Sequence, residues 1–183
     1  MDLLEELQEL LDSLDKGNTL YKLGGHLPIL KIIFYSKFIS NRIVALQIFS
    51  SINQNDAVIQ TDSINNGALE LVLLVKSEQN MRLKENMMSA ISAMIRGENL
   101  EAKRIFVRIK GLELLEFLMT NSPSERLLNK VNTLWRDLTY YDQFLHLTFK
   151  DLSAFSNTSN LKLEKKENHN IDYDPNKEMQ EKN

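Results

Sequence analysis

The sequence predicts an all-α protein built from a repeated unit. Glycine and proline are scarce, with 6 and 3 among 183 residues, so few positions interrupt regular structure. Apolar residues recur at intervals of three and four, which is the spacing of an α-helix and differs from the alternation of a strand. One pattern, a glycine followed by a short apolar helix, occurs three times. We therefore expect helices throughout and take them in chain order.

The chain opens with an amphipathic segment from Leu3 to Leu14. Its leucines follow one face at helical spacing, and acidic residues occupy most of the remaining positions. We expect one helix here, which caps the first repeat and keeps its acidic face in solvent.

Three glycines mark the repeats. Gly25, Gly67 and Gly111 are 42 and 44 residues apart, within the period of armadillo and HEAT arrays. The short apolar helices after them read LPILKIIF, ALELVLLV and LELLEFLM. The glycines stand where each repeat needs a flexible turn between helices.

A longer helix follows in each copy, with apolar residues at i, i+3, i+4 and i+7. These predicted core positions are Ala45, Ile48, Phe49 and Ile52, then Met87, Ala90, Ile91 and Met94, then Val131, Leu134, Trp135 and Leu138. A third short segment closes each unit: NDAVIQTDSI, ENLEAKRIFVRI and YYDQFLHLTF. Three helices per unit is the armadillo plan, whereas HEAT units have two. Because one unit cannot bury its own apolar face, we expect a right-handed armadillo-repeat solenoid of about three repeats over residues 1–155.

The composition changes after residue 155. Residues 156–183 are rich in Asn, Lys and Glu and have few apolar side chains. Such a segment cannot bury enough apolar surface to offset the entropy of ordering, so we expect a disordered polar tail.

Composition excludes several classes of function. The chain has no cysteine, which excludes disulfides, thiolate metal sites and cysteine nucleophiles. A net charge of −3 argues against nucleic acid as the partner, and no apolar run approaches the roughly 18 residues of a membrane span. His26, His146 and His169 lack metal-ligand spacing, and we interpret them as surface or turn histidines. We expect no enzymatic activity and no cofactor.

The central unit has a local excess of positive charge. This excess could form a basic stripe that meets an acidic protein partner, or it could be a solvated face. The residues are Arg82, Lys84, Arg96, Lys103, Arg104, Arg108 and Lys110, against Glu85, Glu98 and Glu101.

The sequence lacks the ladder with which some armadillo proteins hold extended peptides. Nuclear import receptors and catenins carry a tryptophan, and an asparagine four residues later, on the third helix of each unit. By the core frame these positions hold Gln47 and Ser51, Ser89 and Ala93, and Thr133 and Asp137. Capture of an extended peptide is therefore disfavoured.

Three segments resemble a different armadillo family. LEELQELLDSLDKGNTLYKLGGHLPIL from Leu4, ALQIFSSINQN from Ala45 and SAISAMIRG from Ser89 occur in the same order in the armadillo-type nucleotide exchange factors of the seventy-kilodalton heat-shock chaperones, the heat-shock-protein-binding-protein family. The resemblance covers roughly residues 4 to 140. Three ordered segments are far more specific than any one of them.

The resemblance implies a co-chaperone. In that family the concave face clasps lobe II of the chaperone's nucleotide-binding domain, and lobe I is displaced or loosened so that ADP leaves. The implied contacts are side chains on or next to the helix that carries the core frame, which is the third helix of each unit in the family's numbering. They are Gln47, Ser51, Gln54, Asn55, Ser89, Ala93, Arg96, Thr133, Asp137 and Tyr140.

Further expectations accompany the resemblance. It implies a monomer in the cytoplasm, or in the endoplasmic-reticulum lumen if a signal peptide precedes Met1. The sequence begins at its first helix, so either the family's flexible substrate-mimicking segment precedes it or this member lacks that segment. It has about three units where four are typical. The alternatives are a generic armadillo scaffold or adaptor for another protein partner and, from a different class, an enzyme whose site the sequence does not reveal.

Overall fold

The computed structural model describes residues 3–11, 14–54 and 56–140, and these ranges are helical throughout, with no strand among them. The helices are α1 Leu3–Leu10, α2 Leu14–Lys22, α3 His26–Tyr35, α4 Ile39–Asn53, α5 Ala57–Asn65, α6 Glu70–Ser77, α7 Met81–Ile95, α8 Leu100–Arg108, α9 Gly111–Asn121 and α10 Glu125–Tyr140. None of these helices is both long enough and apolar enough to cross a membrane. The predicted third closing segment, the predicted tail, His146 and His169 lie outside the described residues.

Equivalent helices of successive copies pack on one another. Among the long helices, α4 packs on α7 and α7 packs on α10; among the short ones, α5 packs on α8 and α6 on α9. Grouped as α2–α3–α4, α5–α6–α7 and α8–α9–α10, the helices place the long helix third in each set. The prediction of an all-helical protein is confirmed.

The predicted core positions are buried. Each of the twelve residues in the core frame of α4, α7 and α10 is at most 8% exposed, including Trp135 at 6%. Met87 and Met94 are fully enclosed, which agrees with their interpretation as packing residues. The frame therefore identifies the face that each long helix turns toward its neighbours.

The turns between helices show the true register of the repeat. Gly24, Gly67 and Lys110 follow α2, α5 and α8, are each 43 residues apart, and have positive φ angles of 74°, 85° and 66°. The sequence-based alignment, which matched Gly25 and Gly111 with Gly67, was therefore wrong by one residue in the first and third copies. The residues equivalent to Gly67 are Gly24 and Lys110. The third copy places a lysine at the left-handed position, so glycine is not a reliable marker of it.

The N-terminal segment is not one helix from Leu3 to Leu14 as the sequence predicts. Helix α1 ends at Leu10 and α2 begins at Leu14. No residue of α1 is buried, and Leu3 is 79% exposed, although α1 and α2 each pack against α4. Hydrophobic periodicity reports an apolar face, but tertiary contacts decide where a helix ends.

His26 is buried, so its interpretation as a surface or turn histidine is wrong. It begins α3, and its Nε2 atom lies 3.0 Å from Oδ2 of Asp62 on α5. The ring of Tyr21 packs against it with centroids 4.8 Å apart. Burial, followed by the charge of Asp62, raises the pKa of the Tyr21 hydroxyl. The histidine ties α2, α3 and α5 together, a contact that depends on residues far apart in sequence.

A buried glutamine joins the first and second copies. The Nε2 group of Gln60 on α5 donates to the carbonyls of Asn53, Ala93 and Arg96 at 3.2, 2.8 and 3.1 Å. These carbonyls lie at the C-terminal ends of α4 and α7, where a helix cannot satisfy its own acceptors. Gln60 therefore fixes the end of one long helix relative to the next.

Candidate functional site: a groove on the long helices

An open groove of about 710 Å³ lies among α4, α7 and α10. It is lined by polar and small side chains drawn from all three long helices. These are Ser50, Ser51, Gln54, Ser89, Ser92, Ala93, Arg96, Glu125, Arg126, Asn129, Lys130 and Thr133.

The structure brings six of the ten sequence-predicted contact residues to this groove, and they are Ser51, Gln54, Ser89, Ala93, Arg96 and Thr133. They come together because the long helices pack side by side and turn the same face outward.

The other four contact residues are placed differently. Gln47 lies on α4 one turn before the groove and is half-buried, and Asp137 pairs with a groove residue instead of lining the groove. Tyr140 is the last residue of α10, and its side chain is outside the described part of the chain. Asn55 also lies outside the described residues.

The groove is open because its floor carries small side chains that bond to their own helices. The hydroxyls of Ser50 and Ser89 donate to the carbonyls of Leu46 and Glu85, one turn back, at 2.7 and 3.1 Å. A hydroxyl held in this way lies against its helix and does not fill the space above. Ala93 has no atoms beyond Cβ to fill that space.

Polar contacts hold the α10 wall against α7. Glu85 of α7 is the centre, with a side chain only 12% exposed. The Ser124 hydroxyl donates to its Oε1 at 2.7 Å, and Arg126 Nε lies 3.5 Å from its Oε2. One turn further along, Lys130 Nζ donates to Ser89 Oγ at 2.5 Å. These contacts set the width of the groove.

Arg96 ends α7 and also bridges to α10. Its backbone N–H donates to the Ser92 carbonyl at 3.0 Å, which makes it the C-terminal cap of α7. Its Nε atom lies 2.7 Å from Oδ2 of Asp137, with both side chains about 40% exposed. Arg96 and Asp137, which were each predicted to contact a partner, therefore also contact each other. An ion pair this exposed adds little to stability, so a partner can engage either residue at small cost.

The side chains that line the groove include more cations than carboxylates, although Asp137 and Glu85 beside it each pair with one of the cations. Arg96, Arg126 and Lys130 line it, against the single carboxylate of Glu125. Two of these cations, Arg126 and Lys130, belong to α10, and neither was among the contact residues predicted from the sequence. Their spacing of four on one helix was the available signal, because residues at i and i+4 share a helix face.

The basic stripe expected on the central unit is corrected in one respect. Lys103 is not on the surface: it is 2% exposed, and its Nζ donates to the Gly97 carbonyl at 2.6 Å. Burial lowers the pKa of its ammonium group. Lys103 supports the turn after α7 and is not available to a partner.

The described part of the chain contains no cluster of three or more His, Cys, Asp or Glu side chains that could hold a metal ion. What the groove presents is hydroxyls, amides and cations on a wide open surface. Such an arrangement can bind another polar surface through hydrogen bonds and charge.

A model of a known protein family matches most of this chain. The family model of the SIL1/FES1/HPBP1 C-terminal domain matches residues 16–172, a range that contains all three long helices and the whole groove. A search of curated proteins gave no match. Because the family model spans most of the sequence, the chain belongs to the SIL1/FES1/HPBP1 C-terminal domain family, the nucleotide exchange factors of Hsp70.

Proposed function

We propose that this chain is a co-chaperone whose groove binds the nucleotide-binding domain of an Hsp70 and promotes release of ADP. The observation that carries the proposal is the family match over residues 16–172. The match supports the role, and the groove supports the place of binding.

The groove is the best candidate surface because it is open, polar and built by three elements at once. A protein ridge that enters it would touch α4, α7 and α10 together. Six of the ten residues that the family resemblance implies as contacts line it. A binding surface spread over three packed helices is also rigid, which limits the entropy lost on binding.

At the level of the fold, we propose that the described helices form three armadillo-type repeats of a right-handed solenoid. In this arrangement α1 covers the first repeat and the groove lies on the concave side. The packing of α4 on α7 and α7 on α10 supports a linear stack. Because a single chain supplies the whole groove, we propose that the monomer is the active form.

The mechanism is differential binding without chemistry by this chain. The factor binds the open, ADP-free chaperone more tightly than the closed, ADP-bound one, and so shifts the chaperone toward the open state. By thermodynamic linkage, ADP lowers the affinity of the factor by the same ratio as the factor lowers the affinity of ADP. The groove has to recognise a protein surface only, so we propose no catalytic role and no cofactor.

The test is nucleotide release from purified Hsp70. A fluorescent ADP is bound to the chaperone and displaced with excess unlabelled ATP, with and without this protein, and the release rate is measured by stopped flow. Cytosolic and endoplasmic-reticulum Hsp70 are compared, since the one that responds indicates the compartment. We expect faster release with no nucleotide hydrolysed by this protein alone. Binding to Hsp70 without faster release would favour a scaffold. The absence of both binding and acceleration would refute the proposal.

A further inference from the structure

Lys130 differs from the other cations of the groove because it has no carboxylate of its own. It lies half-buried on the α10 wall, and its ammonium donates to Ser89 Oγ. An ammonium group has three N–H donors, so two remain unused by that bond. In the part of the chain that the structure describes, no carboxylate forms an ion pair with it.

The charges around Lys130 do not compensate it. Arg126 and Arg96 lie nearby, and each already has a carboxylate, Glu85 and Asp137 respectively. Glu85 also accepts the Ser124 hydroxyl, so both its oxygens are engaged. Burial lowers the pKa of the Lys130 ammonium, and the charge of Arg126 lowers it further, while Glu85 opposes this. Removing a cation from water without an anion beside it costs free energy, and an incoming carboxylate recovers that cost.

We propose that Lys130 is the anchor of the groove, against which an Asp or Glu side chain of Hsp70 sits when the two proteins bind. This inference rests on the proposed function and identifies the acidic group that the groove recognises. Asn129 and Ser92 line the same groove and provide neutral donors for that side chain.

A carboxylate fits this position better than a phosphate. The positive charges of the two arginines near Lys130 are each offset by a carboxylate, Asp137 for Arg96 and Glu85 for Arg126, so these arginines do not add the uncompensated charge that a phosphate would need. Among the described groove cations, Lys130 is then the one without a carboxylate at ion-pair distance, and its single charge matches that of a carboxylate.

Two substitutions at one position and a matched control test the inference. Lys130→Met removes the charge at similar length, Lys130→Glu reverses it, and Lys31→Met removes the same charge from an exposed position on α3 outside the groove. The dissociation constant for ADP-free Hsp70 is measured by calorimetry at low and high salt. We expect affinity to fall about tenfold for Lys130→Met and further for Lys130→Glu, and to change by less than about twofold for Lys31→Met. The salt dependence of binding should flatten in Lys130→Met.

Thermal unfolding of the same variants separates binding from structure. Lys130→Met should change the melting temperature only slightly, because it loses the hydrogen bond to Ser89 but also removes a cation from beside two others. If all variants bind as the wild type does, the anchor is refuted while wild-type ADP release still supports the proposed function. Weaker binding with a lower melting temperature and an unchanged salt dependence would make Lys130 structural only and overturn the inference. Free phosphate or ADP that binds the wild type and not Lys130→Met would overturn the carboxylate as occupant.

Discussion

Lys110 occupies a backbone position that favours glycine. Its φ of 66° is the one positive φ at a non-glycine residue in the described part of the chain, and the equivalent positions hold Gly24 and Gly67. A left-handed conformation brings Cβ close to the following carbonyl, which costs roughly 1–2 kcal/mol for most residues. Its ion pair with Glu113 is largely exposed and adds little in return.

We expect Lys110→Gly to raise the free energy of unfolding by about 0.5–1 kcal/mol, since relief of strain exceeds the extra freedom of glycine in the unfolded chain. Gly24→Ala should lower it by about 1 kcal/mol, and there the cause is the backbone alone because no atom lies within 4 Å of an added Cβ. Urea unfolding followed by circular dichroism measures both. A stability loss in Lys110→Gly would show that the lysine side chain matters more than its backbone.

Single residues also show what sequence could not provide. The pairing of Arg96 with Asp137, and of His26 with Asp62, joins residues on different helices that are far apart in the chain. Periodicity assigns a residue to the inner or outer face of its own helix, and it contains no information on which distant side chain lies opposite. The burial of Lys103 was missed for the same reason.

The C-terminal ends of two long helices depend on one side chain from the short helix α5. Gln60 is 2% exposed and supplies donors to carbonyls at the ends of both α4 and α7. The three carbonyls would otherwise be acceptors without helical partners. Asn99 plays a related part, because its amide donates to Ala57 of α5 while its oxygen caps α8.

Gln60→Met should therefore lower the free energy of unfolding by about 1–3 kcal/mol, since it keeps the volume but leaves one buried and two part-buried carbonyls without their donor. The matched control is Gln79→Met, at an exposed glutamine, which should stay within about 0.5 kcal/mol of the wild type. Chemical denaturation of the two variants side by side gives the comparison. Equal small effects would mean that water replaces the Gln60 amide and that the link between copies is weak.

Element boundaries were the weakest part of the sequence-based prediction. The leucine stripe from Leu3 to Leu14 continues across the point where α1 ends, so periodicity alone joined two helices. The repeat register was displaced for a similar reason, because the turn is defined by a positive φ angle and the sequence does not show φ. With two adjacent glycines, the sequence could not indicate that Gly24 and not Gly25 has this angle.

At the scale of the whole molecule, the sequence was sufficient for the helical architecture and the buried frame. Three copies of one periodic pattern specify three equivalent long helices. These helices pack on one another, α4 on α7 and α7 on α10, because each has an apolar face to bury. The groove was partly predictable, since residues next to the core frame must share the outer face. The side of the groove that α10 forms was not predictable, because Lys130 and Arg126 become part of the groove only through their contacts with Ser89 and Glu85. The predicted boundary after residue 155 stays a prediction.

Filling the groove tests whether the groove itself binds Hsp70. Ala93 is half-buried on the groove floor, and its contact with Gln60 uses only the backbone carbonyl, so Ala93→Trp blocks the groove and leaves that bond in place. Leu73→Trp adds the same ring at a site on α6 that is 66% exposed and outside the groove. The measurement is the rate of fluorescent ADP release from Hsp70 with each variant. We expect Ala93→Trp to lose most of the acceleration and Leu73→Trp to retain it, with both variants folded. Full acceleration by a folded Ala93→Trp would show that Hsp70 does not bind in the groove.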